Sequence, residues 1–79
     1  MSGRPIKRSV LIAGHRTSVS LEEPFWEGLR ALAEGRGLTV ARLIAEVDAA
    51  RGDADTGLSG ALRVAVLMHY RALAEKVTD

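Results

Sequence analysis

The chain has 79 residues, no cysteine and a net charge of +1, and 47% of its residues are hydrophobic. This length allows a single domain, the lack of cysteine excludes disulfides and four-cysteine zinc sites, and the hydrophobic content excludes an intrinsically disordered chain. Because so small a chain has difficulty burying enough apolar surface without a disulfide or a metal, we expect it to gain stability by forming an oligomer.

The charge is divided unevenly along the chain. Residues 1–21 contain four basic residues and no acidic one, whereas residues 22–79 contain seven basic residues and all ten acidic ones. A basic segment ahead of a slightly acidic body is typical of a protein with one face that meets a polyanion. The alternative is a charged, solvated N-terminal tail, and the charges alone do not decide between the two.

No targeting or membrane segment is evident. The apolar run after the basic N-terminus, Val10–Ala13, is too short for the core of a signal peptide. The longest later run, Val64–Met68, is far shorter than the roughly 20 residues of a membrane-spanning helix. We therefore expect a soluble, cytoplasmic protein with no membrane partner.

The segment 1–14 is interpreted as a basic N-terminal arm. Gly3 and Pro5 lie among its basic residues and favour an irregular conformation. A possible strand at 9–12 follows and is interrupted by Gly14, which marks a bulge, a kink or a turn. The sequence leaves open whether this short apolar run extends the next strand or lies apart from it.

The six residues that begin at Arg16 predict one amphipathic strand. Val19 and Leu21 would face a core, while a cation and two hydroxyls, on Arg16, Ser18 and Ser20, would face outward. The backbone groups of a strand need a partner, and the chain offers no second strand of matching quality that a tight turn would bring alongside. We therefore predict that the partner is the same strand of a second copy.

A first helix should follow this strand. It should begin near Glu23 and Pro24, because proline suits the first turn and acidic side chains favour the positive end of the helix dipole. Gly37 should end it in the left-handed conformation of a helix C-terminus. Its apolar face contains Phe25, Trp26, Leu29, Leu32 and Ala33.

A second helix should begin after Thr39, whose hydroxyl suits the N-cap position. Its apolar face contains Leu43, Ile44, Val47 and Ala50, and its outward side contains Arg42, Glu46 and Asp48. The strand and these two helices define a core segment at 15–51.

A third helix, from about Ser59 to Lys76, should fill most of the segment 58–79, after an acidic, glycine-bounded loop at 52–57. Its stretch Ala61–Met68 is apolar on nearly every side. A helix without a polar face is buried on several sides. We therefore expect it to contact either the dimer partner or another protein.

Some single residues have two interpretations. Arg63 interrupts the apolar stretch of the third helix, and we expect it to form a salt bridge with Glu46 or Asp48 instead of clamping a phosphate. Trp26 is expected in the core and not as a stacking platform for bases. His15 is expected in an exposed loop, although it could titrate near a bound polyanion.

Enzymatic motifs are missing from the sequence. It contains no Gly-x-x-x-x-Gly-Lys loop, no Gly-x-Gly-x-x-Gly and no cluster of metal-ligand residues. Two histidines and scattered serines do not make a catalytic triad. We therefore predict a protein that is not an enzyme and that has no cofactor and no metal.

The order of these elements resembles the ribbon-helix-helix superfamily, the Arc, MetJ and CopG type of repressor. The resemblance covers about residues 16–50. Its motifs are R-T-S-V-S-L from Arg16, F-W from Phe25 with Leu29 after it, G-L-T from Gly37, and the later pair Leu43-Ile44.

The wider pattern, R-T-S-V-S-L-E with F-W and later L-S-G-A-L-R, is similar to a bacterial subfamily described simply as a ribbon-helix-helix domain. A second serine is usual in that subfamily where Gly60 stands in this chain. The departure affects the expected cap of the third helix and leaves the strand unchanged.

The resemblance implies a mostly α-helical fold with one strand. Two chains would form an intertwined homodimer with an intermolecular two-stranded antiparallel ribbon, and the third helix would be an addition at the C-terminus. The dimer core would contain Val19, Leu21, Phe25, Trp26, Leu29, Leu43, Ile44 and Val47.

The resemblance also implies that the ribbon enters the major groove of double-stranded DNA and that the protein is a transcriptional repressor, with two or more dimers side by side on a short pseudo-palindromic site. The base contacts would come from Arg16, Ser18 and Ser20. The phosphate contacts would come from the helix start at Thr39 and Val40 and from Lys7 and Arg8, with possible additions from Arg4, His15 and Arg42.

Two rival functions remain open at this point. The chain could be an antitoxin-like or other protein-interaction module, in which residues 58–76 bind a protein partner. It could also be a purely structural dimer, which the uneven charge makes the least favoured of the three hypotheses.

Overall fold

The computed structural model describes residues 3–52 and 57–77, the side chain of Val77 excepted. Its elements in chain order are β1 (Ile6–Ile12), β2 (His15–Leu21), α1 (Glu23–Arg36), α2 (Val40–Arg51) and α3 (Leu58–Val77). Most of the acidic loop that we predicted at 52–57 lies outside the described residues. The three helices follow in the predicted order.

β1 and β2 form an antiparallel hairpin, which we call the ribbon. Ala13 and Gly14 connect the strands, with φ angles of 50° and 83°. Two consecutive residues with positive φ are typical of the type I′ turn, whose twist matches that of the strands it joins. The register sets Ile6 opposite Leu21 at the open end of the hairpin.

The ribbon corrects two predictions from the sequence. The chain supplies its own second strand, so the fold has two strands instead of one. β1 is also longer than the possible strand at 9–12, since Ile6 and Lys7 pair with β2 and are not part of an irregular arm. The cause is the unbroken apolar run at 10–12, which hides the period of two that marks a strand.

One face of the ribbon covers the core. Val19 and Leu21 of β2 are fully buried, and Ile12 of β1 is buried with them. Ile6 and Val10 are half-buried on the same face, because residues directly opposite each other in an antiparallel pair point to the same side. The predicted orientation of β2 is therefore confirmed.

The ends of α1 are the predicted ones. Pro24 occupies its first turn, and Gly37 ends it with a φ angle of 70°. The N–H of Leu38 donates to the carbonyl of Ala33 at 2.8 Å, and the N–H of Gly37 donates to the carbonyl of Glu34 at 3.1 Å. This pair of hydrogen bonds is the Schellman arrangement, which satisfies carbonyls at the end of a helix.

α2 begins immediately after Thr39. The hydroxyl of Thr39 accepts a hydrogen bond from the backbone N–H of Arg42 at 3.1 Å, so the predicted N-cap is confirmed. Leu43 and Ile44 are buried, whereas Ala50, which we expected on the apolar face, is exposed. The buried face of α2 is therefore narrower than predicted.

The core lies within one chain. Its buried side chains are Ile12, Val19, Leu21, Trp26, Leu29, Ala33, Leu43, Ile44, Leu62 and Val66. Six of the residues that we assigned to a dimer core are among them, and the other two, Phe25 and Val47, are half-buried against it. Because β1 and α3 supply apolar surface that one strand and two helices lack, this core is buried without a second copy.

One side of α3 lies against α1, α2 and the end of β2. Leu62 and Val66 are buried there. A Cβ atom added to Gly28 of α1 would lie 2.5 Å from Cγ1 of Val66. The missing side chain at Gly28 therefore allows α1 and α3 to approach closely.

Two hydrogen bonds hold the ribbon on the helices. The indole N–H of Trp26 donates to the carbonyl of Ile6 at 3.0 Å, which ties the start of β1 to α1. The backbone N–H of Ser20 donates to the hydroxyl of Ser59 at 3.3 Å, which ties the end of β2 to α3. Each strand is thus fixed near the open end of the hairpin, while the turn lies at the other end.

Candidate nucleic-acid interface

The face of the ribbon that points away from the core carries mainly short polar and basic side chains. The register sets Lys7, Ser9 and Leu11 of β1 opposite Ser20, Ser18 and Arg16 of β2, in that order. We call these six residues the outer face. All are exposed except Ser20, which is half-buried. The outer face has two cations, three hydroxyls and no acidic residue, so it is a basic surface with many hydrogen-bonding groups.

Arg16 lies across the ribbon. Its Nη1 donates to the hydroxyl of Ser9 at 3.5 Å, a contact between diagonal neighbours on adjacent strands. The hydrogen bond is long and exposed to solvent, so it restrains the guanidinium only weakly.

The sequence identified the β2 half of the outer face and missed the β1 half. Arg16, Ser18 and Ser20 were predicted to face outward, whereas Ser9 and Leu11 were not assigned to this surface. A two-residue turn at positions 13 and 14 would have paired the strands and placed both residues. The turn was hard to identify because type I′ turns favour Asn-Gly or Asp-Gly, and alanine is unusual at positive φ.

One edge of β2 is open over part of its length. The backbone N–H of Ser20 reaches Ser59 on α3 and so points away from β1. The N–H groups of alternate strand residues point the same way, so those of Ser18 and Arg16 also point away from β1. Neither has a backbone hydrogen-bond partner elsewhere in the described part of the chain. We call this stretch the open edge.

The start of α2 lies on the same side of the molecule as the turn of the ribbon. Leu11 and Ala13 face Ala41 and Arg42 across a shallow groove of about 440 Å³. The residues predicted to bind a phosphate through the helix start therefore lie near the outer face.

Thr39 is exposed and Val40 is half-buried at this helix start. Thr39 already accepts the N–H of Arg42. The N–H groups of Val40 and Ala41, in the first turn, have no acceptor within the helix and are available to an anion.

The two basic residues of β1 point to opposite faces of the ribbon. Lys7 lies on the outer face and is exposed. Arg8 is opposite Val19, with its guanidinium 4.9 Å from the ring centroid of Trp26 and 3.9 Å from the carboxylate of Glu23. Of the two predicted phosphate contacts, Lys7 therefore lies with the other candidate residues, and Arg8 has partners within the protein.

Arg63 forms a salt bridge, but with a residue that we did not predict. Its guanidinium donates to both carboxylate oxygens of Glu22, at 2.9 and 3.1 Å, and not to Glu46 or Asp48. These hydrogen bonds, with a further one to the backbone, lower the pKa of the Glu22 carboxyl. Glu22 follows β2 directly, so the pair joins the end of the ribbon to α3.

A second exposed surface is apolar. Val64, Leu67 and Met68 of α3 each expose more than half of their surface, and Phe25 and Tyr70 border a groove of about 400 Å³ beside them. We call these five residues the α3 surface. Because large exposed apolar surfaces often mark interaction sites in soluble proteins, the α3 surface is a candidate for one.

Two further features are absent from residues 3–52 and 57–77. No group of three or more histidine or acidic side chains there is arranged to hold a metal ion. None of the helices in this part of the chain has the length and hydropathy required to cross a membrane.

Comparison with known proteins identifies the family. The sequence model of the ribbon-helix-helix domain family matches residues 5–70 of the chain. The chain therefore belongs to the ribbon-helix-helix domain family, as its resemblance predicted. This family is a non-enzymatic DNA-binding fold, with roles in DNA binding, transcription regulation or antitoxin action.

A solved structure has the same architecture. An uncharacterized protein from Bordetella pertussis Tohama I is 33% identical in sequence and superposes with a TM-score of 0.79. The match covers 91% of this chain and 60% of that one, so this chain spans about three fifths of its length. A search of the curated proteins found no match.

Proposed function

We propose that the protein binds double-stranded DNA in a sequence-specific manner through the outer face of the ribbon and acts as a transcriptional repressor. The observation that carries this proposal is a two-stranded antiparallel ribbon whose exposed face has two cations, three hydroxyls and no acidic side chain. The major groove of B-DNA is about 12 Å wide and admits a two-stranded ribbon. A basic, hydroxyl-rich face fits the base edges and phosphates that line it.

The proposed base contacts come from β2. Arg16 donates two parallel hydrogen bonds to the O6 and N7 acceptors of a guanine, which gives roughly 1–3 kcal/mol of discrimination against other bases. Ser18 and Ser20 donate or accept and therefore tolerate several bases. Ser20 is half-buried and tied to α3, so its reach is the shortest of the three.

The proposed phosphate contacts flank these residues. Lys7 lies at the open end of the outer face, and Ala41 and Arg42, in the first turn of the helix that starts at Thr39 and Val40, lie across a groove from its turn. A cation and a helix N-terminus on either side of a ribbon fix its register on the duplex without reading sequence. Arg8 is left out of the proposed contacts because it faces the core side and lies beside Glu23.

An arginine substitution tests the proposal. The duplex that the wild-type protein selects from a random pool should lose about 10- to 100-fold in affinity with Arg16→Ala, and the preference at one base pair per half-site should relax. Arg71→Ala, which removes an exposed arginine near the end of α3, is the matched control and should change neither quantity. Unchanged affinity and selectivity in Arg16→Ala would contradict base readout by this ribbon.

We also propose that the protein binds DNA as a homodimer joined at the open edge of β2. The backbone N–H groups of Arg16 and Ser18 point away from β1, and an antiparallel copy of the same edge satisfies them around a two-fold axis near Thr17. The two β2 strands then form the central two-stranded ribbon that lies over the groove, and the two β1 strands flank it toward the phosphate walls. This arrangement combines an intermolecular ribbon with the hairpin of each chain.

A proline substitution tests this interface. Ser18→Pro removes an N–H that points away from β1, so the hairpin keeps its ladder while the edge loses a donor. The mass of this variant in light scattering should fall from that of a dimer to that of a monomer, with an unchanged far-UV circular dichroism spectrum. Ser18→Ala keeps the N–H and should remain dimeric. A Ser18→Pro protein that stays dimeric would place the interface elsewhere.

A second candidate function is favoured by the α3 surface. Val64, Leu67 and Met68 each expose more than half of their surface, as in a module that binds another protein in an antitoxin-like way. In this alternative DNA binding is secondary.

Leu67→Glu separates the roles of the α3 surface. If this surface binds a different protein, the variant should keep the dimeric mass and the DNA affinity of the wild type. If the variant becomes monomeric while Ser18→Pro remains dimeric, the α3 surface joins two copies of this chain.

A further inference from the structure

Leu11 is out of place on the outer face. It is 58% exposed, more than any other large apolar side chain in the described part of the chain. The outward positions that flank it on β1 and β2 carry hydroxyls or a cation. Leu11 is not part of the core, because the side chains that cover the core belong to the other face of the ribbon. It borders the shallow groove toward Ala41 of α2 and still exposes more than half of its surface.

The register sets Leu11 directly opposite Arg16. Leu11 and Arg16 form a non-hydrogen-bonded pair of the ladder, because their backbone N–H groups point away from the partner strand as the Ser20 N–H does. In such pairs the Cα atoms are about 4.5 Å apart and the side chains lie close together. Arg16 leans toward Ser9, and so leaves the leucine uncovered beside it.

The chemistry of the major groove limits what a leucine can recognise. Base edges there present acceptors, amino donors and one apolar group, which is the 5-methyl group of thymine. A leucine placed against a donor or an acceptor would remove water from that group without replacing its hydrogen bond. Contact with the thymine methyl has no such cost.

We propose that Leu11 reads the methyl group of a thymine adjacent to the guanine that Arg16 reads. This inference rests on the proposed DNA-binding function and adds a specificity residue on β1. The target class is therefore a duplex in which each half-site has a guanine and, at the neighbouring base pair, a thymine in contact with the turn end of the ribbon.

Deoxyuridine substitution tests the inference, because deoxyuridine differs from thymidine by that methyl group alone. The duplex selected by the wild-type protein is remade with each thymine replaced in turn, and each affinity is measured. The Arg16→Ala variant identifies the guanine that Arg16 reads, because the preference for that base is lost. Replacement of the thymine beside this guanine, one in each half-site, should weaken binding about fourfold, which is the effect of burying one methyl group. The other replacements should have no effect.

Two variants assign this effect to the leucine. Leu11→Ser should abolish the thymidine–deoxyuridine difference at that position. Val64→Ser removes an apolar side chain of similar exposure, 56%, from α3, and should leave the difference intact whatever it does to overall affinity.

Three results would overturn the inference, and they are distinguishable. Equal affinity for thymidine and deoxyuridine at every position, in a protein that still selects a site, overturns methyl readout and leaves the proposed function in place. The same holds if Leu11→Ser keeps the full thymidine–deoxyuridine difference. Failure to bind or select any duplex overturns both.

Discussion

The outer face of the ribbon and the α3 surface are both exposed, yet they are built from opposite kinds of side chain. The outer face has serines and cations on paired strands, with Leu11 as its one large apolar residue. The α3 surface has Val64, Leu67 and Met68 on a helix, with an apolar groove beside them. The fold therefore presents two chemically distinct surfaces.

The difference indicates which kind of partner each surface suits. Hydroxyls and cations lose little by facing water, and they exchange water for phosphates and base edges. Apolar side chains that are more than half exposed gain free energy only when another apolar surface covers them. This difference supports the proposals that the ribbon binds a polyanion and that the α3 surface binds a protein.

The largest expected effect separates the two sides of α3. Leu62 is fully buried and Leu67 is 55% exposed on the same helix. Leu62→Ala should lower the free energy of unfolding by about 2–5 kcal/mol, the range for removing a buried leucine side chain. Leu67→Ala should change it by about 0.5 kcal/mol or less. Urea unfolding followed by circular dichroism measures both, and equal losses would mean that the exposed side of α3 is part of a buried core in solution.

A smaller change in the free energy of unfolding tests the close contact between Gly28 of α1 and Val66 of α3. Two glycine-to-alanine substitutions on α1 should change this free energy in opposite directions. Gly28→Ala places a Cβ atom against the stiff side chain of Val66, so it should lower the free energy of unfolding by about 1 kcal/mol after the gain in helix propensity is subtracted.

Gly35→Ala is the matched control on the same helix. No atom lies within 4 Å of a Cβ added there, and the substitution should raise the free energy of unfolding by about 0.5–1 kcal/mol. If Gly28→Ala stabilises the protein as Gly35→Ala does, α1 and α3 do not approach as closely as the structure places them.

The smallest effect concerns the ion pair between the two surfaces. Arg63 lowers the pKa of Glu22, so the pair should contribute its full stability above the ordinary pKa of a glutamate and lose it as the pH falls through the lowered value. The difference in urea midpoint between the wild type and Glu22→Gln should therefore shrink on acidification across that interval. Glu27→Gln, which removes an exposed carboxylate from α1, is the comparison variant. A difference that grows at low pH would contradict the assignment.

The parts of the fold that sequence predicted correctly depend on local signals. Gly37 and Thr39 mark helix ends through backbone conformation and capping, which involve only neighbouring residues. β2 was predicted because Val19 and Leu21 alternate with polar residues. Local signals of this kind are visible in one sequence.

The parts that sequence did not predict depend on residues far apart in the chain or on unusual local geometry. Glu22 and Arg63 are 41 positions apart, and the close approach at Gly28 requires the position of α3. β1 was hidden by its apolar run and by an alanine at positive φ in the turn. Half of the outer face, with Ser9 and Leu11, was missed for the same reason.

The most direct test of DNA binding by the ribbon is the salt dependence of affinity for random-sequence duplex DNA, measured by fluorescence anisotropy. Each neutralised phosphate contributes about −0.9 to the log–log slope, so two copies with one Lys7 contact each predict a slope of about −2 or steeper. Lys7→Gln should make the slope less steep, whereas Lys76→Gln, at the end of α3, should not. No binding at low salt, or a slope that is the same in both variants and the wild type, would contradict the assignment of the polyanion to the ribbon.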